Sequence, residues 1–250
     1  MTETIIETQD LSKSFSGFAA VAGVDLKVRK GTIHALIGPN GAGKSTVFNL
    51  LTRFLPVSAG RIFFKGEDIT RRDPALVAQG GMVRSFQISS TFPQLSLREN
   101  VRIALQRPLR VAYCFWRSEK TLAALNARAD ELLEAVGLTR WRDLRAADLS
   151  YGRKRALELA TTLALDPEVM LLDEPMSGLG HEDIDRITRL IRQVAAGRTL
   201  LMVEHNLKVV AELSDIITVL ARGKVLAEGN YATVAADPQV RSAYMGSSHG

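Results

Sequence analysis

A single cysteine, Cys114, occurs in 250 residues, which excludes an intramolecular disulfide framework and suits a reducing compartment. Cys114 itself reads as a small buried hydrophobe. No apolar run approaches the ~20 residues that a helix needs to cross a bilayer. The opening MTETIIETQD carries acid where a signal peptide would carry base, so nothing in it suggests export. Internal repeats and low-complexity tracts are also missing, so any site is present once per chain. Charge is mild at +5 and the basic residues are scattered, which reads as a solvated surface and leaves nucleic acid unexpected as a partner. What is present is ordinary globular material. Hydrophobic residues make up 46% and charged residues 24%, enough for one large unit, or two closely joined ones, around a substantial core.

The pattern along the chain is α/β with a helical interruption. Ile5 to Thr8 and Val24 to Val28 alternate as strands do, and Ile33 to Ile37 is short, apolar and flanked by glycine, as a buried strand is. In the middle, Ser96-Leu97-Arg98-Glu99 has the form of a capping box before an apolar helix. After a proline- and aromatic-containing stretch, Leu122, Leu125, Ala129, Leu132, Leu133 and Val136 share one helical face, and a third helix follows Ser150. Residues from about 90 to 165 thus form a helical block, set between α/β segments at 1–89 and 166–250. The α/β pattern resumes with strands at Val169 to Leu172 and Thr199 to Val203, separated by a helix from Glu182 to Val194. Ile216 to Leu220 and Lys224 to Glu228 flank Ala221-Arg222-Gly223 as a hairpin.

The most specific signal is Gly38-Pro39-Asn40-Gly41-Ala42-Gly43-Lys44-Ser45-Thr46, which follows a predicted strand and opens a helix. That is the setting a P-loop requires. Glycines let backbone N–H groups converge on phosphate oxygens, Lys44 reaches the β/γ-phosphates, and Ser45 can ligate Mg²⁺. The second element is Val169-Met170-Leu171-Leu172-Asp173-Glu174, an apolar strand with two carboxylates at its C-terminal end, where ligands gather in open α/β sheets. Asp173 would hold Mg²⁺, directly or through water, and Glu174 would polarise the attacking water. Taken alone, such an acidic pair reads equally well as the cap of the next turn; the upstream glycine loop gives it a partner.

Leu149-Ser150-Tyr151-Gly152-Arg153 opens a helix about twenty residues before the acidic strand. Here the chain resembles the ABC ATPase family, whose signature in that place is LSGGQ. The physical sense is a second anion-binding helix N-terminus, with a serine hydroxyl and a glycine backbone facing a γ-phosphate. Tyr151 and Arg153 depart from that signature, whereas Ser150 and Gly152 match it. Three further residues stand in family order: Gln87 in Arg84-Ser85-Phe86-Gln87, His205 in Val203-Glu204-His205-Asn206, and Phe15 upstream of the glycine loop. The resemblance implies that Gln87 touches Mg²⁺ and links the site to a membrane partner, that His205 senses the γ-phosphate, and that Phe15, with Phe18 close by, stacks on adenine. Singly these read as a loop amide, a satisfied histidine and a core aromatic; their joint order carries the assignment. One departure stands out: where the family has a SALD-like loop, this chain has Ser177-Gly178-Leu179-Gly180, without the aspartate.

The resemblance covers essentially the whole chain. It implies a P-loop NTPase core with an N-terminal antiparallel β subdomain and an inserted helical subdomain. It also implies a site for ATP and Mg²⁺, with Lys44, Glu174 and His205 in the chemistry. Thr91-Phe92-Pro93, Leu97-Arg98-Glu99-Asn100-Val101 and the ending Ala243-Tyr244-Met245-Gly246 look like the branched-chain amino-acid importers, in particular the larger of their two ATPases. That likeness implies permease partners and a second ATPase subunit, identical or different. It further implies an indirect link to an extracytoplasmic solute-binding protein and a peripheral place on the cytoplasmic face of the inner membrane. Relatives of this kind serve urea, other amino acids and aromatic acids, so the solute stays open. A non-transport ABC ATPase acting on ribosomes or DNA is the alternative. It would carry two nucleotide domains or a long coiled-coil insertion, and neither is visible. A P-loop kinase or GTPase leaves Ser150, Gly152 and His205 without an account.

Overall fold

The computed structural model describes residues 3–85, 91–107 and 125–245. An antiparallel sheet is built from β1 (Thr4–Phe15), β2 (Phe18–Val24), β3 (Lys27–Arg29), β5 (Ala59–Phe64) and β6 (Glu67–Asp68). A second sheet runs β11-β10-β4-β9-β8-β7, from Lys224–Gly229, Ile216–Ala221, Ile33–Ile37, Thr199–Val203, Val169–Asp173 and Met82–Ser85 respectively. All its neighbours are parallel except β10 and β11, which form the expected antiparallel hairpin.

Strands β8 and β9 are buried at every position, as strands covered on both faces must be. The period-two alternation then divides their side chains between two cores. Met170 and Leu172 join one cluster with the helices, while Val169 and Leu171 join another beneath the antiparallel sheet. Helix α1 (Lys44–Leu51) lies in that second cluster, with Val47, Phe48, Leu50 and Leu51 buried among side chains from both sheets. Four buried apolar side chains at ~1.5–3 kcal/mol each make this helix hard to move.

The remaining described helices are α2 (Pro74–Gln79), α3 (Leu97–Gln106), α4 (Asn126–Ala135), α5 (Tyr151–Leu163), α6 (His181–Ala195), α7 (Leu207–Leu213), α8 (Tyr231–Ala236) and α9 (Pro238–Met245). The capping box before α3 forms as its residues dictate: the Glu99 N–H donates to Ser96 Oγ at 3.2 Å, and the Ser96 N–H donates to Glu99 Oε2 at 2.7 Å. Cys114 and the stretch around it lie outside the described residues.

The single strand expected over Val24 to Val28 is instead two. β2 pairs with the far half of β1 and β3 with its near half, so the chain must cross between them at Asp25 and Leu26. The crossing is held by Asp25, which accepts the Asp10 N–H at 2.7 Å, and by Thr8, whose Oγ1 accepts the Leu26 N–H at 2.9 Å. Conversely, the strand read at Ile5 to Thr8 extends to Phe15, since its polar outer half still pairs on both sides.

His34, on the strand that leads into the glycine loop, is fully buried and its Nε2 hydrogen-bonds Thr218 Oγ1 at 2.8 Å. Burial, aided by the charge of Arg29, lowers its pKa from 6.5 to about 4. A depressed histidine pKa contributes stability that is full above 6.5 and is lost as pH falls through 6.5 toward about 4. Denaturant unfolding of the wild type should therefore lose about 2–3 kcal/mol more across that window than His34→Gln does. Equal pH slopes for the two proteins would refute this.

Candidate functional site

Strand β4 ends at Ile37 and the chain enters the glycine loop, which passes hard against the sheet. A Cβ on Gly38 would stand 2.1 Å from the Leu220 carbonyl oxygen, so only glycine fits there. Gly43, at φ 101°, has the same restriction against the Ala20 carbonyl and forms the N-cap of α1 without any side-chain cap. The first turn of α1 also carries no acidic residue, so its N–H groups and dipole face outward uncompensated. Lys44 is buried and its Nζ donates to the carbonyls of Gly38 at 2.8 Å and Pro39 at 3.0 Å, which curls the loop around the ammonium. Burial holds the Lys44 pKa below the usual lysine range, against the opposing charges of Glu174 and Asp173. Ser45 is exposed at the start of the helix, and Thr46 is half-buried beside it. From the other side, Tyr244 of α9 packs on the core. Burial pushes its hydroxyl up to about 12, opposed by a hydrogen bond from the Gly38 backbone.

The strands next in line deliver acid to the same sheet edge. Asp173 closes β8, 3% exposed; its Oδ2 pairs with Arg84 of β7, while its buried Oδ1 has no hydrogen-bond partner among the described residues. Arg84 also reaches Asn49 Oδ1 on α1, and its guanidinium lies 5.8 Å from the Phe48 ring centroid. Glu174 follows with a left-handed φ of 48°, a conformation that costs a non-glycine residue about 1–3 kcal/mol and turns the chain sharply off the strand. Its N–H donates to the Val203 carbonyl at 2.9 Å. Its Oε1 meets His205 Nε2, at the end of β9, at 2.9 Å. The structure thus brings Lys44, Asp173, Glu174 and His205 to one edge formed by three adjacent parallel strands.

Arg84, Asn49 and Glu204 had no role in the sequence reading. Glu204 is 3% exposed, and its carboxylate accepts N–H groups from Met176, His205 and Asn206. The available signal was positional: like Asp173, it is a carboxylate directly following an unbroken apolar strand.

Ser150 takes the N-cap position of α5, but its exposed hydroxyl makes no capping bond, so the simple helix-cap account of this serine does not hold. Gly152 is tightly enclosed: a Cβ there would come within 2.4 Å of the Asp183 carboxylate. Arg153 stacks on Trp141, with its guanidinium 4.2 Å from the ring centroid. Phe15 and Phe18 flank the turn between β1 and β2, and both are exposed, at 42% and 68%. The Lys13 ammonium stands over the Phe15 ring at 5.1 Å. Gln87 lies outside the described residues.

The ABC transporter family matches residues 21–177, and the branched-chain amino acid ATP-binding cassette transporter family matches residues 224–250. The high-affinity branched-chain amino acid transport ATP-binding protein BraF of Pseudomonas aeruginosa is 36% identical, over 98% of this chain and 99% of its own. The corresponding protein LivG of Escherichia coli K12 is 33% identical, over 98% of this chain and 99% of its own. Among solved structures, an ATP-binding cassette of an ABC transporter in its ADP conformation superposes with a TM-score of 0.85. It is 30% identical and covers 98% of this chain and all of that one. A nucleotide-free cassette gives 0.84 at 30% identity. With a glycine loop closed on a buried lysine, carboxylates at the adjoining strand end and full-length relatives of this kind, the chain belongs to the ABC transporter family, as one of its ATP-binding subunits.

Proposed function

We propose that the chain binds ATP with Mg²⁺ at the edge formed by β4, β8 and β9, and hydrolyses it to drive import of branched-chain or related amino acids through separate permease subunits. The observation that carries the catalytic part is the 2.9 Å contact between Glu174 and His205 beside the lysine-filled glycine loop. The amino-acid part rests on the full-length relatives and on the match of residues 224–250.

The residues fit a magnesium ion. Asp173 offers a buried oxygen with no hydrogen-bond partner among the described residues, and Ser45 an exposed hydroxyl at the helix start. One carboxylate and one hydroxyl are the few protein donors that Mg²⁺ takes when phosphates and water complete its shell. When bound, the ion would neutralise charge on the β- and γ-oxygens. Lys44 and the N–H groups of the loop hold the phosphates, Glu174 accepts a proton from the attacking water, and His205 holds Glu174 in place and faces the γ-phosphate. Phe15 would supply the adenine platform, and Gln87 would complete the link from metal to membrane partner.

Ser150 and Gly152 would serve a second copy or a related ATPase chain, facing the γ-phosphate held by the partner's glycine loop. The helices between Leu97 and Leu163 would form the inserted helical subdomain. Between them and the α/β part lies a largely apolar cleft of about 500 Å³, rimmed by the exposed Phe54, Phe92 and Ile103. A permease loop seated there would place the chain on the cytoplasmic face of the inner membrane. Among the described residues, no helix is long and apolar enough to cross a membrane. The solute-binding protein would act only through the permease. The ribosome or DNA alternative has no support from the relatives.

Glu174→Gln is expected to abolish steady-state ATP turnover while leaving ATP affinity intact, since it removes the proton acceptor and spares the phosphate cradle. Turnover within a few-fold of wild type would refute the assignment. Lys44→Ala is expected to weaken binding of a labelled ATP analogue by roughly 1.5–3 kcal/mol, or about 10- to 100-fold, because a charge-assisted contact is lost. Unchanged affinity would move the phosphate site elsewhere. Phe15→Ala is expected to cost on the order of 1 kcal/mol of nucleotide affinity, and Phe18→Ala less. Titration with a fluorescent nucleotide decides between the rings, and the reverse ranking would transfer the stacking role to Phe18.

A further inference from the structure

We propose that Glu204 is a positioning residue for hydrolysis, its buried carboxylate fixing the loop that carries Glu174 against the loop that carries His205. The inference rests on the ATPase reading above. Glu204 Oε1 accepts the Met176 N–H at 3.0 Å, while Oε2 accepts the N–H groups of His205 at 2.6 Å and Asn206 at 2.8 Å. No ion pair to this carboxylate occurs among the described residues. At 3% exposure it is held instead by three backbone donors.

The placement of those donors gives the role. Met176 lies two residues beyond Glu174, and the Glu174 N–H is itself bonded to the Val203 carbonyl. The loop after β8 is therefore tied to the end of β9 at two points, Val203 and Glu204, on either side of the Glu174–Pro175 peptide. Glu174 between them holds the left-handed φ of 48° that points its carboxylate at His205. The strained residue stays in place because its surroundings over-determine it, and Glu204 supplies one of the two ties. The other end of the same carboxylate binds the N–H of His205 itself. One side chain thus sets the origin of both members of the 2.9 Å contact. Glu204 faces backbone, not the phosphate side, so it acts through its neighbours.

Glutamine at this position keeps the volume but replaces one oxygen by an NH₂ group. Whichever way the amide turns, a donor then opposes either the Met176 N–H or the paired N–H groups of His205 and Asn206. The test is Glu204→Gln in the full chain, measuring ATP-analogue affinity, kcat and amide hydrogen exchange. The expected result is a kcat about tenfold or more below wild type, with affinity within about twofold, and faster exchange at Met176, His205 or Asn206 while the core strands keep their protection. Unchanged kcat overturns the proposal. So does a kcat loss with no change in exchange at these amides, which would mean direct participation. Joint loss of affinity, turnover and core protection also overturns it, in favour of a purely structural role. A wild-type chain that binds ATP without turning it over, alone or with its transporter, fails at a different step, the ATPase reading itself.

Discussion

Everything at the site depends on the burial of helix α1 between the two sheets. A glycine loop is only a flexible ring of N–H groups until both ends are anchored. Here one end continues from β4, at the centre of the parallel sheet, and the other runs into a helix whose Val47, Phe48, Leu50 and Leu51 are locked among side chains from both layers. The loop's own packing adds to this, since the Leu220 and Ala20 carbonyls lie where side chains on Gly38 and Gly43 would have to go. Lys44 is then drawn into the ring by two carbonyls, so the ammonium is desolvated and aimed before any ligand arrives. Such preorganisation leaves little reorganisation to be done by a charged group.

The same edge must also hold negative charge close to that lysine without collapsing onto it. The structure does so by giving each carboxylate its own partners. Asp173 is held by Arg84, Glu174 by His205, and Glu204 by three backbone N–H groups. Arg84 also links Asp173 to Asn49 on α1, which joins the acidic strand end to the helix below the glycine loop. Asp173 Oδ1 is buried and has no hydrogen-bond partner among the described residues.

Much of this was legible in the sequence because the signals are local. A buried strand, a glycine loop and a helix are written in consecutive residues, and β4, β8, β9 and the β10–β11 hairpin fall within a residue of where periodicity puts them. What periodicity does not reveal is pairing. Nothing local says that β1 must serve β2 and β3 on different halves, so the break at Asp25 and Leu26 was invisible until Thr8 and Asp10 were seen holding it. Arg84 and Glu204 were missed for a related reason. Their partners lie on other strands or in backbone N–H groups, and a charged residue gives no sequence sign of bonding to main chain across a sheet.

The departures at the start of α5 are accommodated by packing within the chain. Tyr151 stands where the family has glycine, and its hydroxyl accepts from Arg155 at 2.8 Å, itself paired with Glu158. Its ring lies so close to Gly178 that a Cβ there would come within 3.2 Å of it. Gly178 is in the left-handed region at φ 76°, which independently favours glycine. The large residue at 151 and the small one at 178 are therefore two halves of one contact. It joins the start of α5 to the loop that follows Glu174. Arg153, the other departure, is committed to Trp141 and so does not crowd Ser150. Gly180 caps α6, and among the described residues nothing lies near its missing side chain to stand in for the absent aspartate. The start of α5 and the loop after Glu174 thus meet at Tyr151 on Gly178, within one chain, at a place where the family pattern would have put two small residues.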